Sequence, residues 1–404
     1  MPGNLLARYV PDAPLWRDGA TLGVRLHGMA TTISTAPDAT QLRTRLDKAA
    51  KQAASADTDA LLIAPGSDMR YLLGVGGESH ERLSCLVLPA NGRDPVLVVP
   101  RLEAPGYADV PLDDLGVQLH TWVDGTDPYQ LVAEAADKPR QVALSDTTQA
   151  VHVFGFHTAL PEARQALAGP VLRELRMRKD DAEVAALREA GAAIDRVHAR
   201  MGEWLRPGRT EAEVAADVCE AIVAEGHTHV AFVTVGAGPN GASPHHDVSD
   251  RVIADNDVVV VDIGGPLPSG YNSDCTRTYA LGAPSTDIAD CYAVLEEAQR
   301  AAVHAVRPGA RAQDIDDAAR SIISAAGHAE RFIHRTGHGI GLDVHEEPYI
   351  MGGNDLHLEP GMAFSVEPGI YFPGQWGARI EDIVVVTDDG VESLNRQPHS
   401  LVEL

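Results

Sequence analysis

The sequence predicts a mixed α/β (α+β) chain of two domains, the second of them pseudo-symmetric. Three observations carry that expectation. At 404 residues the chain exceeds what one hydrophobic core ordinarily serves. Short apolar runs bounded by Gly, Pro, Asn and Asp alternate with stretches of helical periodicity. A 23-residue segment, 205–227, recurs without gaps at 306–328, a constant offset of 101.

Residues 1–36 mix Pro, Gly and Thr without periodicity and are expected to form an irregular arm. A first domain is expected over 37–170. It opens on a helix in which Leu42, Leu46 and Ala49 share a face. Strands are expected at 60–64, 85–89, 95–100, 117–122 and 141–145, with helices near 128–137 and 159–168. The glycines of 74–79 lack the Lys-Ser/Thr ending of a phosphate-cradling loop and read as a turn. No residue set in this domain carries chemistry by itself.

A charged connection, 170–182, leads to a second domain expected over 176–404. Val184, Leu187, Ile194, Val197, Met201 and Leu205 mark the apolar face of a long helix ending near Arg206-Pro207-Gly208. Thr210 and Glu213 then form a capping box that opens the next helix. Here the repeat begins. Seven of its 23 positions are identical, including the Arg-Pro-Gly start and the Gly-His end. His227, at that Gly-His end, and His229 are spaced like metal ligands but read as structural.

Each copy is followed by two acids on strand-like apolar segments: Asp262 and Asp274 after the first, Glu367 and Glu381 after the second. A pseudo-twofold axis would bring the pairs together. Four buried carboxylates repel, and divalent cations are the natural compensation. His338, among glycines, supplies a fifth donor. A set this rich in carboxylates is hard and favours Mn²⁺, with Co²⁺, Fe²⁺ or Zn²⁺ as alternatives. The set suggests a hydrolase built on two divalent ions.

Charge and composition bound the rest. With 33 basic and 58 acidic residues the net charge is −25, which opposes binding to nucleic acid phosphates or anionic lipid. The four cysteines form no CxxC pair, no signal-peptide pattern opens the chain, and a cytoplasmic protein is expected.

The motifs DIGG, SDCTRT, HRTGHGIGLDVHEEPY, EPGIY and RIED make 176–404 resemble the pita-bread metallopeptidases of the proline-peptidase branch, which holds Xaa-Pro dipeptidase (prolidase) and aminopeptidase P. The preceding domain resembles their creatinase-like N-terminal domain. The resemblance implies that Asp274 and Glu381 bridge two divalent ions, that Asp262 chelates one, and that His338 and Glu367 complete the other. It implies that Glu367 shuttles a proton from a shared water to the departing proline nitrogen. His245, His334, His345 and Arg379 match residues that contact substrate, with His245, His345 and Arg379 also near the reacting centre. His246 directly follows His245, and the choice between them stays open here. Arg379 is implied to orient the substrate or pair with its carboxylate. Ser243 and Pro244 stand where many relatives carry a larger apolar residue, which leaves the side-chain preference open.

The activity so implied is hydrolysis of the Xaa-Pro bond in dipeptides, by a homodimer. The short Glu367–Glu381 connection favours this over an aminopeptidase P acting on longer peptides. A non-catalytic binding protein of the same fold would need a broken ligand set, and the set here is complete.

Overall fold

A computed structural model of the protein describes residues 37–404; the expected arm at 1–36 lies outside the described residues. The first helix, α1 (Ala39–Ser55), starts where Asp38 and Gln41 cap each other, at 2.8 and 2.9 Å, and buries Leu42, Leu46, Ala49 and Ala53. It packs on a six-stranded mixed sheet of β1 (Ala60–Ile63), β2 (Cys85–Pro89), β3 (Val96–Pro100), β4 (Gln118–Trp122), β5 (Gln141–Leu144) and β6 (Arg164–Leu167), in the order β4-β3-β2-β1-β5-β6. Strands β1 to β3 are buried along their whole length, because helices cover both faces. The other helices are α2 (Ser67–Leu73), α3 (Leu112–Leu115), α4 (Pro128–Ala136), α5 (Ala150–Ala159) and α6 (Gly169–Arg176).

One expectation fails here. Residues 159–168 are not a helix: α5 ends at Ala159, and 164–167 run as β6, parallel to β5. The Ala, Leu, Arg and Gln of this stretch favour helix, but free backbone groups on the edge of β5 recruit the segment into the sheet. The charged connection 170–182 contains most of α6.

The second half of the chain is two copies of one plan. In the first, α7 (Asp181–His198) and α8 (Glu211–Ala224) cover a sheet of β7 (Phe232–Ala237), β8 (Val258–Pro266) and β9 (Asn272–Ala280). In the second, α9 (Thr286–Ala305) and α10 (Ala312–Ala325) cover β10 (Gly337–Gly339), β11 (Glu346–Ile350) and β12 (Ala363–Val366). The hairpin β13 (Gly369–Phe372) and β14 (Trp376–Arg379) follows, then β15 (Asp382–Val386), β16 (Val391–Ser393) and β17 (Val402–Glu403). Strand β15 pairs with β12 to complete the second sheet, and β17 pairs with β9. Each helix pair has its own core, Ile194, Val214 and Val218 against Val259 and Val261, and Leu295, Ile315 and Ile323 against Phe364 and Val384.

The repeat is written into the backbone. Helices α8 and α10 have identical length and lie 101 positions apart. Gly208 and Gly309, at φ 87° and 83°, take the same left-handed turn, which explains the recurring Pro-Gly. Both donate to a returning loop segment, Gly208 to the Ile253 carbonyl and Gly309 to the Leu358 carbonyl, each at 2.8 Å. The expected helix ending near Arg206 is shorter: α7 stops at His198 and a single tight turn carries Met201 and Leu205 into the same core.

The charged connection has a definite use. Arg176 donates to Asp68 of α2 at 2.8 Å, to Asp343 at 2.7 Å and to Glu346 at 2.6 Å, and Lys179 reaches Glu346 at 2.6 Å. Ser67 also donates to Asp343. This cluster ties the first domain to the loop 341–346 that carries His345. All four cysteines are free, and no described helix is long and apolar enough to cross a membrane.

Removing a buried cation from such a cluster leaves acids uncompensated. Arg176→Met is therefore expected to cost about 3–5 kcal/mol of stability, read as an earlier urea midpoint. A midpoint equal to the parent's would show that the cluster does not hold this join.

Candidate functional site

Strand register places the acids. In the β8–β9 ladder Asp262 faces Thr276 and Gly264 faces Asp274, so both carboxylates point to one face of the hairpin. In the second half, Val366 pairs with Asp382, and one step beyond that pair stand Glu367 and Glu381. The two halves meet at this point: Glu381 N–H donates to the Thr276 carbonyl at 3.1 Å, and the Thr278 hydroxyl donates to the Arg379 carbonyl at 2.9 Å. His338 sits at the centre of β10. Gly337 before it lets β10 lie against β12, since a Cβ there would run into the Ser365 carbonyl.

Together these residues line one cavity of about 950 Å³, with His245, His246, His334, Arg335 and His345 on its walls. Donor atoms of Asp274, His338 and Glu381 lie within 4.8 Å of one another. His338 Nε2 is 3.2 Å from Glu367 and 3.7 Å from Asp274. Its Nδ1 lies 3.1 Å from the Gly339 carbonyl, which selects the tautomer that leaves the Nε2 lone pair facing the acids.

The electrostatics are those of a cation site. Burial, then the neighbouring carboxylates, push Asp274 and Glu381 well above the usual carboxylate range. Burial pushes His338 down to about 4, so it is neutral and able to ligate. Asp262 Oδ1 is buried with no hydrogen-bond partner, an orphan that a metal ion would satisfy. The residues fit a divalent metal centre of oxygen donors and one imidazole.

Neighbours fix each donor. Ser365 Oγ accepts from His338 N–H at 3.0 Å and donates to Glu367 at 2.9 Å. Thr276 donates to Glu381 at 2.7 Å. The sequence offers Thr276 as a hydrogen-bond partner for Asp274, and it serves Glu381 instead; Ser365 was not singled out, although it stands two before Glu367, the spacing that shares a strand face.

The expected substrate contacts come out differently from one another. His245 opens to the cavity, whereas His246 is committed to the buried Glu211 at 2.8 Å, which separates the two. His345 packs edge-on to His338, with ring centroids 4.0 Å apart. Partial burial, reinforced by the neighbouring His338 imidazole and the Arg335 cation, pushes it down to about 4. His334 lines the cavity, but its ring nitrogens lie 2.7 Å from the Arg335 carbonyl and 2.9 Å from the Tyr371 hydroxyl.

Arg379 departs from expectation. Its guanidinium donates to Asp262 at 2.6 Å, Tyr371 at 2.9 Å, Thr276 at 3.0 Å and the Pro244 carbonyl at 3.2 Å. Only 2% of the residue is exposed, so it must find its partners within the protein. It holds Asp262 in place rather than waiting for a substrate carboxylate.

Set against known proteins, residues 185–388 match metallopeptidase family M24 and residues 45–178 match the creatinase/prolidase N-terminal domain. A probable dipeptidase, PepE, of Mycobacterium bovis is 56% identical over 366 residues, covering 90% of this chain and 97% of that protein. An Xaa-Pro dipeptidase of Lactobacillus helveticus is 34% identical over 364 residues, covering 88% and 98%. The crystal structure of dipeptidase PepE from Mycobacterium ulcerans matches with a TM-score of 0.87 at 56% identity, covering 91% of this chain and 98% of that one. The architecture is thus a creatinase-like domain followed by a pita-bread catalytic domain. Every donor identified above falls within the family match, and the chain belongs to metallopeptidase family M24: it is a metal-dependent peptidase.

Proposed function

We propose that the protein hydrolyses the peptide bond preceding proline in Xaa-Pro dipeptides, using two divalent ions, Mn²⁺ foremost, held by Asp262, Asp274, His338, Glu367 and Glu381. The observation that carries this reading is the convergence of four carboxylates and a neutral imidazole on the lining of one cavity. The likeness to an Xaa-Pro dipeptidase supports the choice of bond. Divalent ions so held would supply an activated water and polarise the scissile carbonyl.

The remaining chemistry belongs to the chain. Glu367 sits beside His338 with one oxygen fixed by Ser365, so its carboxylate can take a proton from the attacking water. It then delivers that proton to the proline nitrogen, which leaves poorly as an anion. His345 is neutral near pH 7 and can donate one ring N–H to the substrate without adding charge beside the metals. His245 faces the same space from the opposite half. Arg379 acts through Asp262, holding its carboxylate in place. Phe232, Val233, Val344 and Met351 give the apolar wall that a pyrrolidine ring and the preceding side chain require.

Hydrolysis of an Xaa-Pro dipeptide beside an Xaa-Pro-Yaa tripeptide, with and without Mn²⁺, tests the reading. Metal-dependent cleavage of the dipeptide and poor cleavage of the tripeptide are expected. Equal cleavage of both would make the protein an aminopeptidase instead.

Replacement of Asp274 by Asn removes charge from the most crowded position. Asp274→Asn is expected to abolish turnover and lower bound metal by elemental analysis, whereas an active variant of parental metal content would remove Asp274 from the site.

The raised carboxyl groups also set a pH dependence. Asp274 and Glu381 hold protons in the metal-free fold at pH values where the unfolded chain has released them. Metal-free protein should therefore lose stability as pH rises from the usual carboxylate range through the raised values. Metal binding displaces those protons, so stabilisation by Mn²⁺ should grow over the same interval. Melting temperatures of chelated and Mn²⁺-loaded protein between about pH 5 and 8 read both effects. A gap that narrows as pH rises would contradict the assignment.

A further inference from the structure

The carboxylates of the cavity leave a question of balance. Its wall carries two guanidinium groups, Arg335 and Arg379, against the acids Asp247, Asp262, Asp274, Glu367 and Glu381. Arg379 is buried and fully engaged. Arg335 is half-buried, and among the described residues no carboxylate lies within 4.0 Å of its guanidinium and no acceptor takes a hydrogen bond from it. In a chain of net charge −25, a cation that faces five acids and pairs with none of them is held apart for a reason.

What holds it is Tyr349. The guanidinium carbon of Arg335 sits 4.4 Å from the Tyr349 ring centroid, stacked on its face. Stacking fixes the plane of the group and leaves its N–H edges unused. In the β10–β11 ladder Tyr349 stands directly opposite His338, so the anchor is tied to the strand pair that carries the histidine donor. The charge reaches the reacting end of the cavity: Arg335 is among the groups that hold His338 and His345 neutral.

We propose that Arg335 binds the C-terminal carboxylate of the substrate, so that the cavity measures peptide length by the distance from the metal-binding acids to this guanidinium. The proposal rests on the dipeptidase reading above and adds the group that recognises the free end. In an Xaa-Pro dipeptide that carboxylate follows the scissile bond by a single residue, so its partner must stand beside the metal site, on the wall shared by His338 and His345. The planar fork of the guanidinium suits a carboxylate, and partial exclusion of water strengthens the pair. A longer peptide would place an uncharged amide against Arg335 and leave the cation unpaired. An acidic side chain before the proline would offer the same chemistry from a different position, and substrate design separates the two.

The test compares Ala-Pro with Ala-Pro-amide, and Asp-Pro-amide with Asn-Pro-amide, on the Mn²⁺-loaded parent, Arg335→Gln and Arg335→Lys. The parent is expected to favour the free acid over the amide by about ten- to hundredfold in kcat/KM. In Arg335→Gln that ratio should collapse toward one, chiefly through KM, and Arg335→Lys should recover part of it. Equal proportional losses on acid and amide would reduce Arg335 to a structural role and overturn the proposal. A collapse confined to the Asp-Pro-amide to Asn-Pro-amide ratio would assign the group to the acidic side chain instead and overturn it equally. Calorimetric binding of proline against prolinamide to the same proteins reads the anchor without turnover. If no dipeptide is cleaved, the functional reading fails, and this arm still decides the anchor: proline must bind the parent more tightly than prolinamide, and Arg335→Gln must erase the difference. Unchanged melting temperature and metal content in both variants identify any loss as one of recognition.

Discussion

Mutual repulsion among Asp262, Asp274, Glu367 and Glu381 is the constraint on which the rest of the catalytic half depends. Folding removes them from water and brings them within reach of one another, which is why Asp274 and Glu381 hold protons in the metal-free fold. Such a cluster persists only where backbone packing forces it and where compensation is available. The packing comes from two long ladders whose registers are fixed by buried Val and Ile on the opposite face. The compensation comes in part from Arg379, and the orphaned Asp262 oxygen marks where more is required.

Duplication explains how one chain reaches this arrangement. Each half has its own helix pair and its own core, so each can bury enough apolar surface to hold a strand with acids at its inner end. Only where the halves touch, at Thr276–Thr278 against Arg379–Glu381, do the two acid pairs become one cluster. The halves have since diverged where chemistry demands it. Glu211 begins α8 and fixes His246 and the loop of His245; the matching position in α10 is Ala312, and there Asp316 instead braces Thr336 ahead of His338.

Much of this was legible in the sequence, for identifiable reasons. The five proposed metal donors stand out because an acid in a Val-rich strand, or a histidine among glycines, has no cheap structural explanation. The repeat was visible because left-handed Gly turns and helix ends tolerate few substitutions. Strand β6 was hidden, since edge pairing is decided by the neighbour rather than by the segment. The use of Arg379 was hidden for a related reason. Spacing from Glu381 placed it at the site, but only packing shows that Tyr371, Thr276, Pro244 and Asp262 already take its hydrogens. Arg335 lay inside the same motif as His338, and nothing local told it apart from an ordinary surface arginine.

Among the described residues none that lines the cavity comes from the first domain, yet that domain bears on the site. The loop bearing His345 is short and glycine-started, and two bonds from the Asn272 side chain to Gly341 and Leu342, at 3.0 and 3.1 Å, hold only its beginning. Its far end is held by Arg176 and Lys179 through Glu346, and by Ser67 and Arg176 through Asp343. Three acids and two bases, all but Asp343 closed off from most solvent, give a joint whose strength falls steeply with displacement, because each buried charge loses its partner before water can replace it. His345 lies between those two anchors, one residue from Glu346 and two from Asp343. The place of its imidazole over His338 is therefore set by the contact between domains as much as by the strand that follows it. A creatinase-like domain is thereby coupled to the reacting centre through these ion pairs, the Ser67 hydrogen bonds and the packing of Leu342 on the domain's own core.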